Sequence, residues 1–165
     1  MSRALIRFAK RLASWEDPSL SLDELQRLEF KARDGGPDLR PSVYEVDDFA
    51  VRAVQSYAEH AHAFDPPRTA LALDVDDAVL GNCQPTPGDT PFSFTREAHR
   101  EIVLHDDADL LEFIGRVKSM VRRYVSKTDV QLYVRGRLDS GDREWTTVAS
   151  NPDAKGWVRK LAAKR

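Results

Sequence analysis

The chain has 165 residues, 25 basic and 27 acidic, for a formal net charge of −2, and it contains a single cysteine. That length is the size of one ordinary domain and buries enough surface to fold without a disulfide or a metal staple. One thiol excludes an internal disulfide and points to a reducing, cytoplasmic setting. No apolar run reaches the ~20 residues of a membrane-spanning helix, and the first residues lack the continuous apolar stretch of a secretory signal. The near-neutral total conceals segregation: residues 1–15 sum to +4, residues 16–115 to −14 and residues 116–165 to +8. Asymmetry of this kind points to a charged partner, or to an acidic middle folded against basic ends.

In chain order, Leu5, Phe8, Leu12 and Trp15 recur at intervals of three and four, which predicts an amphipathic helix over 2–15. Its Trp and Phe face packs into the core or against a partner more readily than it anchors to a membrane surface. Ser21 with Glu24 three residues on forms a capping box that starts a second helix, ended near Arg33 by the breaker Gly35-Gly36-Pro37. Residues 42–46 predict a short strand, and Asp47 a cap for a helix over 48–64. Residues 68–75 predict a strand, 81–91 a Pro- and Gly-rich loop, and 92–95 and 99–104 two strands or one kinked strand. Asp106 or Asp107 caps a helix over 107–125. Residues 129–138 and 143–149 alternate about Asp139-Ser140-Gly141-Asp142 as a β-hairpin, with Val130, Leu132 and Val134 facing the core. Asn151-Pro152-Asp153 opens a short closing helix over 153–163. The fold class is therefore α/β or α+β: one domain with an N-terminal helical segment (1–34) and a core over 41–165. Its mixed sheet of five or six strands carries helices packed on it and ends in a late hairpin and a short C-terminal helix.

Candidate chemistry is sparse. His60 and His62 lie about 200° apart on a helix, and His99 and His105 would stand ~20 Å apart on a straight strand, so neither pair ligates one metal. Cys83 has no basic neighbour in sequence and reads as an unreactive thiol. No nucleophile elbow, phosphate loop or paired Cys motif is present. In LALDVDDAVLGN (71–82) an apolar strand ends in Asp74-Val75-Asp76, whose i, i+2 spacing projects two carboxylates from one strand end. This resembles the first motif of the haloacid dehalogenase superfamily. The resemblance implies a nucleophilic Asp74, an acid/base Asp76 beside Mg²⁺, and a central parallel strand. Ala78 stands where that family carries Thr or Val, and no later strand ends in paired acids.

The basic C-terminal region offers a different site. Arg122 and Arg123 lie on the predicted fourth helix and Lys127 just after it, Tyr133, Arg135 and Arg137 share one face of the predicted hairpin, and Arg159 and Lys160 lie on the closing helix. With Lys155 and Lys164 they form a cationic surface for a polyanion or a protein partner. The sequence thus predicts a cytoplasmic, bacterial-type accessory, adaptor or immunity-like protein that acts through a protein–protein surface and needs no cofactor or metal. Nucleic-acid binding through 116–165 is the second reading, and a small Mg²⁺-dependent phosphatase built on Asp74 and Asp76 the third.

Overall fold

A computed structural model describes residues 3–64, 67–76, 83–85 and 90–164. The protein is an α+β fold built on one six-stranded sheet of order β4-β5-β2-β1-β3-β6. The strands are β1 (Ala4–Phe8), β2 (Ser42–Val46), β3 (Ala70–Asp76), β4 (Cys83–Pro85), β5 (His99–Ile102) and β6 (Val121–Val125). Every neighbouring pair runs antiparallel, so the sheet is not mixed. The helices are α1 (Leu12–Glu16), α2 (Leu22–Glu29), α3 (Phe49–Ala61), α4 (Ser93–Ala98), α5 (Asp107–Val117), α6 (Lys127–Asp139), α7 (Arg143–Ser150) and α8 (Gly156–Ala163). None of them is long and apolar enough to cross a membrane.

Helices cover both faces of the sheet. Leu5, Val43, Leu71, Leu73 and Val75 meet Trp15, Leu25, Phe30, Phe113 and Ile114 from α1, α2, α5 and the turn after α2. On the other face Ile6, Val46, Ala70, Ala72 and Val125 meet Ala58, Val130, Val134, Trp145, Trp157 and Leu161 from α3, α6, α7 and α8. The alanines of β3 face α3 and α6, and its leucines face the layer of α2 and α5.

This double coverage explains why the first segment is β1 followed by α1 and not a single helix over 2–15. A strand buried on both faces loses its polar–apolar alternation, and the surviving three- and four-residue intervals imitate a helix. The predicted helix over 107–125 likewise ends at Val117, and the apolar Val121, Tyr124 and Val125 continue its phase into β6. Residues 93–98 form α4 instead of a strand, because Glu144 accepts from Ser93 N (2.8 Å) and Ser93 Oγ (3.2 Å) and so caps the helix from a distant element.

The late hairpin is replaced by α6 and α7. Ser126 and Asp129 form a reciprocal capping box (2.9 and 3.1 Å), and Asp142 Oδ1 accepts from Trp145 N (3.0 Å). Val130, Val134 and Leu138, spaced by four, are the buried stripe of α6, while Leu132 is 63% exposed. The intervening turn is retained, with Gly141 at φ +74°, a conformation that costs glycine little.

Other expectations are met closely. The Ser21–Glu24 capping box opens α2, β2 spans 42–46, and α3 is capped by Asp48, one residue later than predicted. The closing helix begins at Gly156, three residues later than predicted. Within the predicted loop over 81–91, residues 83–85 pair with β5 as an edge strand; 81, 82 and 86–89 lie outside the described residues.

Under the α2 face, Arg7 of β1 is only 6% exposed and Glu29 only 1%. The Arg7 guanidinium donates to Ser42 O (2.9 Å) and Glu29 O (3.5 Å), and lies over the Phe30 ring at 4.4 Å. Burial pushes its pKa down to about 10, against the attraction of Asp38 and Glu29. The Glu29 carboxylate accepts from Lys10 N (2.7 Å) and Arg11 N (2.8 Å).

Two outcomes follow. Glu29→Ala strands two backbone donors and removes one of the two counter-charges of Arg7; it lowers the unfolding free energy by about 2–3 kcal/mol, read as a drop in the urea midpoint. Leu132→Lys changes stability by less than about 0.5 kcal/mol in the same assay, since Leu132 faces solvent and not the core.

Candidate polyanion-binding groove

The side-by-side packing of α6 and α8 creates a groove of about 320 Å³. The α6 wall begins at its capping box and supplies Lys127 and, one turn on, Gln131. Trp157 anchors the α8 wall: its Nε1 donates to Phe64 O beyond the end of α3 (3.1 Å). Lys155, Lys160 and Lys164 line the groove on this side. Buried Trp157 and Leu161 form the floor. Four ammonium groups thus surround an apolar base, and no carboxylate is among the lining residues. A lysine rim of this kind attracts anions through a field strongest at low ionic strength.

The predicted cationic residues are divided by the fold. Lys127 and Lys160 meet across the groove, with Lys155 and Lys164 beside Lys160. Arg159, one turn after Lys155, is exposed on α8 outside the lining. Arg122 and Arg123 lie on β6, the edge strand, in register with Leu73 and Ala72. Charged residues on an edge strand discourage pairing with another chain.

Tyr133, Arg135 and Arg137 do not share a face, because 133–137 is helical. Arg135 lies about 200° around α6 from Tyr133 and is exposed. Arg137 is i+4 from Tyr133, donates Nε to its hydroxyl (3.2 Å), sits 5.3 Å from its ring centre and reaches Asp142 at 3.9 Å. Tyr133 is turned toward Trp145, and burial pushes its pKa up. The expected arginine–aromatic platform is therefore an internal brace. Lys155 and Lys164 join Lys127 in one groove once 127–139 is recognised as a helix packed beside α8. Gln131 is visible only as the i+4 neighbour of Lys127 on a helix, which a strand assignment hides.

Asp74 and Asp76 lie near the end of β3, opposite Ile6 and Ala4 of β1, and Asp74 also opposes Val121 of β6. Both neighbours run antiparallel, so the parallel central strand implied by the dehalogenase resemblance is not this sheet's geometry. Among the described residues no three His, Cys, Asp or Glu side chains gather as a metal-ligand set. His99 stacks on Tyr44 at 5.6 Å, and His62 packs edge-on against Phe92 at 5.0 Å.

No family model matches the chain, and neither a curated protein nor a solved structure shows a significant match to it.

The Trp157 anchor carries its own expectation. Trp157→Phe keeps a ring in the floor but leaves the Phe64 carbonyl unpaired; stability falls by about 1 kcal/mol, measured by thermal or urea denaturation.

Proposed function

We propose that this is a non-catalytic binding protein, an accessory or adaptor whose α6–α8 groove receives an acidic segment of a protein partner. The observation that carries this reading is the lysine rim around an apolar floor, with no carboxylate in the lining. Carboxylates of an extended peptide fit the rim, and an apolar side chain between them fits against Trp157 and Leu161. Interfaces of this kind combine a small desolvated centre with a charged periphery. A single-stranded nucleic acid would need exposed rings for stacking. Here Trp157 is buried and Tyr133 is engaged by Arg137 and Trp145, which favours the peptide.

The test uses the full chain and two fluorescent probes: a dodecapeptide alternating Glu and Leu, and a single-stranded oligonucleotide of equal charge. The peptide binds in an anisotropy titration, and its affinity falls as salt rises. Lys127→Glu with Lys160→Glu weakens it at least about tenfold, about 1.4 kcal/mol or more, whereas Arg123→Glu leaves it unchanged. Failure of the peptide to bind, or insensitivity to the double reversal, overturns the proposal. Tighter binding of the oligonucleotide replaces it with the nucleic-acid reading.

A further inference from the structure

Glu59, on the face of α3 turned into the helical layer, is 2% exposed. Its Oε1 accepts from Thr95 Oγ1 of α4 (3.1 Å), and Gln55, one turn earlier, hydrogen-bonds the same carboxyl. Its Oε2 is buried without a hydrogen-bond partner. The titratable and charged groups that face it are Tyr44 from β2, Tyr133 and Arg137 from α6, and Glu144 from α7. The one cation among them, Arg137, is held by the Tyr133 hydroxyl and Asp142.

The helix that Glu59 holds is short. Residues 93–98 make little more than one turn and a half, and no side chain of its own N-cap residue, Phe92, caps it. Its polar ties to the rest of the layer are Thr95 to Glu59 and Ser93 to Glu144, supplemented by Arg52 over the Phe94 ring at 4.8 Å. Two carboxylates therefore hold the same helix. Glu144 accepts from a backbone N–H and a hydroxyl of Ser93. Glu59 has an orphan oxygen, no cation in contact and a like charge nearby, and is suited to be neutral.

We propose that Glu59 is a proton-operated latch on α4: neutral, it holds the helix closed, and once ionised it lets the helix open from the α3–α7 layer. The proposal is independent of the lysine groove. Desolvation is the chief cause that pushes the Glu59 carboxyl up to about 7, with Glu144 adding to it and the bonds from Thr95 and Gln55 opposing. An opened α4 exposes Glu59 to water and returns it to the ordinary carboxyl value of 4.5. The closed state thus keeps its full advantage below that value. It loses the advantage as pH rises from there to about 7, and beyond that both states are ionised and the equilibrium levels off.

The experiment is amide hydrogen exchange of the intact chain from pH 5 to 8.5, corrected for intrinsic rates and read at Arg96 of α4 and at His99, whose N–H donates to Thr95 O at the helix end, with Leu5 and Ile6 of β1 as the global reference. The local opening constant of α4 rises about fortyfold in all between pH 5 and 7 and changes little above 7.5, while β1 protection changes much less. Glu59→Gln, which keeps shape and removes ionisation, leaves α4 protected at every pH. Thr95→Val, which removes the donor but not the acid, weakens protection and retains the pH step. A flat wild-type profile, a step that survives Glu59→Gln, or parallel loss of protection in β1 and α4 overturns the latch.

Discussion

Arg7 is the constraint on which one half of the structure is arranged. A guanidinium placed in the middle of a central strand can be buried only if its donors and its charge are met on the spot. The fold meets them with Ser42 O from the neighbouring strand, Glu29 O at the end of α2, the face of Phe30, and the nearby charges of Glu29 and Asp38. These partners come from the end of α2, the chain after it and β2, so the arginine fixes where α2 ends and how the chain after it returns to β2. The Glu29 carboxylate ties the same point to the chain leaving β1 through two backbone N–H groups. The aromatic packing of Trp15, Phe30 and Phe113 then closes over the arrangement.

The opposite half rests mainly on apolar packing, with one buried polar contact, Thr95 to Glu59, between α4 and α3. Six strands separate the two layers, so the basic α6–α8 surface and the Arg7 cluster lie on different sides of the sheet. The acidic middle contributes the caps of α2, α3 and α5, while the last third supplies the lysines that line the groove between α6 and α8, with no carboxylate in the lining.

What was legible in the sequence was whatever is decided locally. The Ser21–Glu24 box, the strand at 42–46, the helix behind Asp47-Asp48 and the turn at Ser140-Gly141-Asp142 depend on neighbours a few residues away, and all are found. Misread segments were those whose environment is set from afar. β1 looks helical because both its faces are covered, and α4 is capped by Glu144, 51 positions along the chain. α6 looked like a strand because Val130, Leu132 and Val134 alternate, although Leu132 faces solvent. That one error scattered the candidate site: with α6 as a strand, Tyr133, Arg135 and Arg137 seemed to form a platform, and Lys127 had no partner. Lys127 and Lys160 were identifiable as cations; that they face each other follows from helix packing, which no short-range pattern encodes.

The strand order has a consequence for how the chain reaches this state. β3 gains β1 as soon as both exist, but its other neighbour, β6, is made only after β4, α4, β5 and α5. Until then β3 offers an open edge along ALALDVD, an apolar segment of high strand propensity. Such edges recruit other chains during synthesis and refolding. The acids at positions 74 and 76 interrupt that run and act as gatekeepers, and the arginines that later close the edge bring charge of opposite sign. On this view the charges at positions 74 and 76 matter most while the sheet is still unfinished.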